Sequence, residues 1–106
     1  RVGFDWPSTA EVVAKIVEEA NELVEARDEL GPAEIAEEYG DLMFVMVNLG
    51  RHLGLDAEAC LRAANGKFTR RFQFIEAELA KAGKRPADSD LAEMDALWDA
   101  AKRSGL

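Results

Sequence analysis

Glu37-Glu38-Tyr39-Gly40-Asp41-Leu42-Met43-Phe44-Val45-Met46-Val47-Asn48-Leu49 decides the fold. From Leu42 to Leu49 only Asn48 is not apolar, so a helix here is apolar nearly all round. Such a helix is either central in its own domain or covered by a partner. A chain of 106 residues buries roughly 65% of its unfolded surface and builds one modest core. A partner is therefore the better reading, most simply a second copy about a two-fold axis.

Glycine and proline punctuate the chain on both sides of this stretch. Pro32 suits the first turn of the helix, which is expected to run to about Leu53 and to end at Gly54 as a cap. Upstream, Ser8 with Glu11 reads as a capping box. Val12, Val13, Ile16, Val17, Ala20, Leu23 and Val24 then recur at helical spacing, which places a helix over about residues 9–29. Downstream, Asp56 can cap a third helix over about residues 57–82, with Leu61, Phe68, Phe72, Ile75 and Leu79 along one face. Gly83-Lys84-Arg85-Pro86 is a connector. Asp90 with Glu93 reads as a second capping box, opening a helix that runs to about Arg103. No stretch sustains period-two alternation. The expected fold is all-α: four helices in a single domain over residues 1–106, assembling as a dimer.

Composition sets the outer bounds. Apolar residues make up 48% and charged residues 32%, which is the balance of a soluble globular chain. The longest apolar run, Leu42–Val47, falls far short of the ~20 residues of a membrane span. A net charge of −8 argues against nucleic acid, whose binding needs a basic face. One cysteine and one histidine leave no intrachain disulfide and no Cys-rich or His-rich metal site. Cys60 reads as a small packed residue of the third helix, and His52 as a polar cap near the end of the second. No signal-peptide pattern is present, so the cytoplasm is expected. Opening on Arg1 is what a piece of a longer polypeptide would show.

Acidic residues carry the strongest chemical signal. Residues three apart on a helix share a face, and this spacing pairs Glu19 with Glu22 and Glu38 with Asp41. The short Gly31-Pro32 link makes the two helices antiparallel neighbours, so the pairs can face each other. Four converging carboxylates repel unless a cation joins them. Hard divalent ions with oxygen ligands answer that need, magnesium first and manganese second. An acidic, solvated helix face would show the same spacing. A carboxylate-bridged iron site would want Glu-x-x-His, and Leu49 stands three residues before the single histidine, His52.

Lys67, Arg70 and Arg71 form a basic cluster interleaved with Phe68 and Phe72. Arg51 and Arg62 are candidates to extend it. Lys67 and Arg71, four apart, share a face that suits phosphate oxygens. Pairing with surplus acids, or complementing helix C-termini, would explain the same cations. Trp98 and Lys102 are also four apart, and the tryptophan would either stack on a base or cover the core.

Several strings in this order resemble the MazG family of nucleoside triphosphate pyrophosphohydrolases. They start at Val2-Gly3-Phe4-Asp5-Trp6 and continue with Lys15-Ile16-Val17-Glu18-Glu19-Ala20-Asn21-Glu22 and Glu37-Glu38-Tyr39-Gly40-Asp41-Leu42-Met43-Phe44. Val47-Asn48-Leu49-Gly50-Arg51-His52-Leu53-Gly54, Ala64-Asn65-Gly66-Lys67-Phe68 and Arg70-Arg71-Phe72 follow, and Met94, Trp98 and Lys102 close the match. The resemblance implies an all-α dimer that hydrolyses nucleoside triphosphates to monophosphate and pyrophosphate with magnesium, by attack of water at the α-phosphorus. It implies Glu19, Glu22, Glu38 and Asp41 as metal ligands. Lys67 and Arg71 would hold the phosphate chain, and Trp98 and Lys102 would complete the nucleotide site. From the chemistry of the parts, Glu18 or Glu37 would take the proton of the attacking water or orient that water. A narrower all-α pyrophosphohydrolase, acting on dUTP or phosphoribosyl-ATP, and a non-catalytic helical dimerisation module are the alternatives.

Overall fold

The computed structural model describes residues 5–106; Val2, Gly3 and Phe4 of the opening string lie outside them. Four helices follow one another: α1 Thr9–Ala26, α2 Pro32–His52, α3 Ala57–Lys81 and α4 Leu91–Arg103. One 3-10 turn, Pro86–Asp88, precedes α4. There is no strand among the described residues. The chain divides into two compact units, Arg1–Ala57 and Glu58–Leu106.

In the first unit α1 and α2 pack together as a helical hairpin. The Ser8 hydroxyl accepts a hydrogen bond from the Glu11 N–H at 3.3 Å and starts α1. The helix stops at Ala26, three residues before the expected end. The residue before a proline is driven out of the helical region, and Gly31 is accordingly extended, with φ −76° and ψ 169°. Residues 27–30 form the turn that reaches it. α2 ends in a Schellman motif: Gly54 takes φ +73°, and the Leu55 N–H donates to the Gly50 carbonyl at 2.8 Å.

Val12, Ala26 and Val45 are the buried apolar residues of this hairpin. One face of α2 is uncovered in the single chain. Met43, Phe44, Met46 and Val47 are exposed, Phe44 by 69%. Leu23, Val24, Pro32, Ile35 and Tyr39 line an open apolar groove of about 590 Å³ beside the turn.

In the second unit only part of the expected α3 stripe is covered. Ile75 and Leu79 are buried and Phe72 half-buried, but Leu61 and Phe68 are exposed. Helical period tells which residues share a face and not how completely each of them is covered. Cys60, expected to be packed, is likewise exposed. Asp90 caps α4 by accepting from the Glu93 N–H at 2.8 Å. The expected reciprocal bond is replaced: the Glu93 carboxylate turns to Ser89 Oγ and Lys84 Nζ. Both partners hold its pKa below the ordinary glutamate value.

Candidate functional site

Carboxylates from both helices meet on the α1–α2 hairpin. Oxygens of Glu19, Glu38 and Asp41 lie within 4.8 Å of one another. Glu19 is buried, Glu38 half-buried and Asp41 exposed, so the cluster opens from the helix interface toward solvent. Helical spacing explains the placement: Glu38 and Asp41 are one turn apart on α2, and the antiparallel return of α1 brings Glu19 beside them.

Glu22 stands outside this three-oxygen group but inside its field. The charge of Glu19 first, then desolvation and the charge of Glu18, push the Glu22 carboxyl above its ordinary pKa. Glu38 adds in the same direction. Glu18 points to another partner, an ion pair with Lys15 at 3.4 Å. Glu37 is exposed.

Lys15 was missing from the sequence-derived site. Its Nζ lies 3.1 Å from Glu19, and Glu19 first, then Glu18, raise its pKa. The i, i+3 and i, i+4 spacing of Lys15, Glu18 and Glu19 was the available signal. A buried carboxylate without a partner costs several kcal/mol, and Lys15 supplies Glu19 with one. Three carboxylate oxygens converging on one point offer an all-oxygen donor set, which suits a hard divalent cation.

A second polar centre was also missed. The Asp5 carboxylate accepts from Asn48 Nδ2 at 3.1 Å and Arg51 Nη2 at 2.9 Å, and it lies 3.3 Å from His52 Nε2. The His52 hydrogen bond is the largest cause of a pKa lowered to about 2. His52 is thus a partner of Asp5 rather than a simple end cap, and Arg51 is committed to Asp5 as well. Asn48 is buried, and its Oδ1 has no hydrogen-bond partner among the described residues.

The expected basic and aromatic residues gather in the second unit. Arg71 is half-buried. Its Nε donates to the Leu106 main-chain oxygen at 2.8 Å, and its guanidinium carbon lies 5.1 Å from the Trp98 ring centroid. Phe68 meets the same indole at 5.5 Å, tilted by 48°, and stacks on Phe72 at 6.1 Å. Lys67 and Lys102 are exposed. Among the described residues none of Lys67, Arg71 and Lys102 forms a salt bridge, while the Arg71 bond to Leu106 joins it to the C-terminal end of α4.

The family model for phosphoribosyl-ATP pyrophosphohydrolase matches residues 4–68, and the chain belongs to that family. It is 45% identical over 107 residues to a nucleoside triphosphate pyrophosphohydrolase of Escherichia coli (strain K12), an alignment spanning 99% of this chain and 41% of that protein. It is 43% identical over 102 residues to the nucleoside triphosphate pyrophosphohydrolase/pyrophosphatase MazG of Thermotoga maritima, covering 96% of this chain and 39% of that one. The uncharacterized protein YabN of Bacillus subtilis is 40% identical over 67 residues, 63% of this chain and 14% of its own length. The MazG resemblance read from the strings is therefore present over nearly the whole chain. The chain spans about two fifths of the length of the first two relatives. Glu19, Glu22, Glu38, Asp41 and Lys67 fall inside the family match, while Arg71, Trp98 and Lys102 lie beyond it.

Proposed function

We propose that this chain is a nucleoside triphosphate pyrophosphohydrolase domain, cleaving a triphosphate to the monophosphate and pyrophosphate with a divalent cation. The observation that carries the reading is the Glu19, Glu38 and Asp41 oxygen cluster in a chain of this family. These three residues, with Glu22 beside them, would hold magnesium, or manganese in its place. A bound ion would neutralise phosphate charge and lower the pKa of a coordinated water.

Water would attack the α-phosphorus, breaking its bond to the α–β bridging oxygen, and pyrophosphate would leave in one step. Glu18 or Glu37 would accept the proton of that water. Glu18 is engaged by Lys15, which leaves Glu37 the less encumbered of the two. Lys67 and Arg71 would bind phosphate oxygens and stabilise charge on the leaving pyrophosphate. Trp98 and Lys102 would complete the nucleotide site. The exposed apolar face of α2 supports a homodimer, with residues 1–106 acting as one domain. No described helix is long and apolar enough to cross a membrane, and the working compartment proposed is the cytoplasm. Nucleic acid is not a proposed partner.

The family description names phosphoribosyl-ATP, while two relatives are named for nucleoside triphosphates. That difference keeps a narrower substrate range as the second reading. Pyrophosphate release should be measured with the four common ribonucleoside triphosphates, dUTP and phosphoribosyl-ATP, in magnesium and in EDTA. Release from several triphosphates in magnesium alone is the expected result. Release from dUTP or phosphoribosyl-ATP only would establish the narrower enzyme. No release from any substrate would leave a helical dimerisation module.

A further inference from the structure

We propose that Trp98 is a positioning residue, which aims the Arg71 guanidinium at phosphate instead of serving as a platform for the base. The proposal rests on the pyrophosphohydrolase reading for its substrate and on the geometry of the second unit for everything else.

Two contacts fix the guanidinium in different directions. In its plane, Nε donates to the Leu106 main-chain oxygen at 2.8 Å. Its carbon lies over the Trp98 ring, 5.1 Å from the centroid. The Leu106 oxygen is itself placed by the end of α4. Gly105 takes φ +91°, a conformation that side-chain-bearing residues rarely adopt. The Leu106 N–H then returns to the Ala101 carbonyl at 3.1 Å, closing a Schellman turn. Trp98 is held in turn by Phe68, tilted against the indole at 5.5 Å.

Arginine carries five N–H donors in a rigid fork. Nε is used, and the four N–H groups of Nη1 and Nη2 have no partner among the described residues. That free edge is the one that meets two phosphate oxygens at once. The indole face under Arg71 is not open to a base. Removing the ring would therefore loosen the fork, and the loss would fall on phosphate recognition whatever the base.

The test uses inorganic tripolyphosphate, which has no base, beside ATP and UTP, all in millimolar magnesium. Trp98→Leu should weaken tripolyphosphate binding by about 3- to 30-fold, the range a cation–π contact spans. It should change ATP and UTP binding by the same factor. Trp98→Phe, which keeps a π face and guards against a folding defect, should recover most of the loss. In an Arg71→Ala background Trp98→Leu should add nothing, because its effect runs through the arginine. The Arg71 Nε–H resonance should lose its ring-current shift in Trp98→Leu. Loss confined to the nucleotides and larger for ATP would make Trp98 a base platform and overturn the proposal, as would additive effects with Arg71→Ala. Wild-type protein that binds tripolyphosphate in this Trp98-dependent way and releases no pyrophosphate would sink the enzymatic reading alone. Wild-type protein that binds neither would sink both.

Discussion

Replacing Glu38 by glutamine separates a metal-holding cluster from an acidic helix face. The shape is kept and one charge is removed from three oxygens lying within 4.8 Å. At an effective dielectric of about 20, two fixed charges at that separation repel by about 3.5 kcal/mol. Asp41 is exposed and Glu38 half-buried, so water and side-chain motion reduce the realised gain to about 1 kcal/mol. In EDTA, Glu38→Gln should therefore melt a few degrees above wild type. Magnesium that binds only the folded site stabilises wild type by about 2.7 kcal/mol at a hundredfold excess over its Kd, or about 10–20 °C in a chain of this size. Glu38→Gln loses a ligand and most of that increment, so in magnesium it should melt below wild type. Its kcat/KM should fall at least ~100-fold. The assay is a pair of thermal melts of each protein, in EDTA and in millimolar magnesium. Equal shifts of Tm in both conditions would show that no cation is held there, and an active variant would remove Glu38 from the ligand set.

The Glu22 carboxyl is held above its ordinary pKa by the charge of Glu19, so metal-free protein should lose stability as pH rises through the titration of Glu22. Mild acidification toward about pH 5 should raise Tm in EDTA, and Glu22→Gln should flatten that slope. Asp5 has the opposite sign, with a pKa lowered to about 2. Its contribution is complete above the unfolded value of about 3.9 and is lost as pH falls toward 2. Asp5→Asn should thus be destabilising at pH 7, with the gap from wild type closing between pH 4 and 2 in urea titrations. Leu79 is 2% exposed, and Leu79→Ala should cost about 2–5 kcal/mol by denaturant unfolding; a change below 0.5 kcal/mol, a threshold of the order set by surface substitutions, would place it outside the core. Phe44→Asp together with Met46→Asp should convert a micromolar dimer to monomer by light scattering, and a wild type already monomeric there would refute the proposed assembly.

The helices were legible because their signals are local. Pro32, Gly54, Ser8 and Asp90 act on their own turns, and the apolar period fixes each face. The Glu19, Glu38 and Asp41 cluster was legible for the same reason, since one short turn and the i, i+3 pair Glu38–Asp41 determine it, while the expected fourth member, Glu22, stands beside the group. The Asp5 centre was not. Its partners lie 43 to 47 residues away, and no spacing rule reaches across such a gap. The Arg71–Trp98 contact was hidden likewise, because periodicity places each residue on its own helix and says nothing of how the faces of α3 and α4 meet. Leu61 and Phe68 show the reverse error: the apolar period includes them, yet both are exposed, Phe68 even while one side of its ring meets Trp98.

The Asp5 tie also has a kinetic meaning. The α1–α2 hairpin closes over a five-residue turn and can form early, whereas bonding Asp5 to Asn48, Arg51 and His52 requires the hairpin's two outer ends to be brought together first. We expect such contacts to form after the folding transition state, with φ near zero. Asp5→Asn should leave the folding arm of a chevron nearly unmoved and raise the unfolding arm. The carboxylate is then a latch on the native state, which sets how long the hairpin stays closed and has little influence on how quickly it forms.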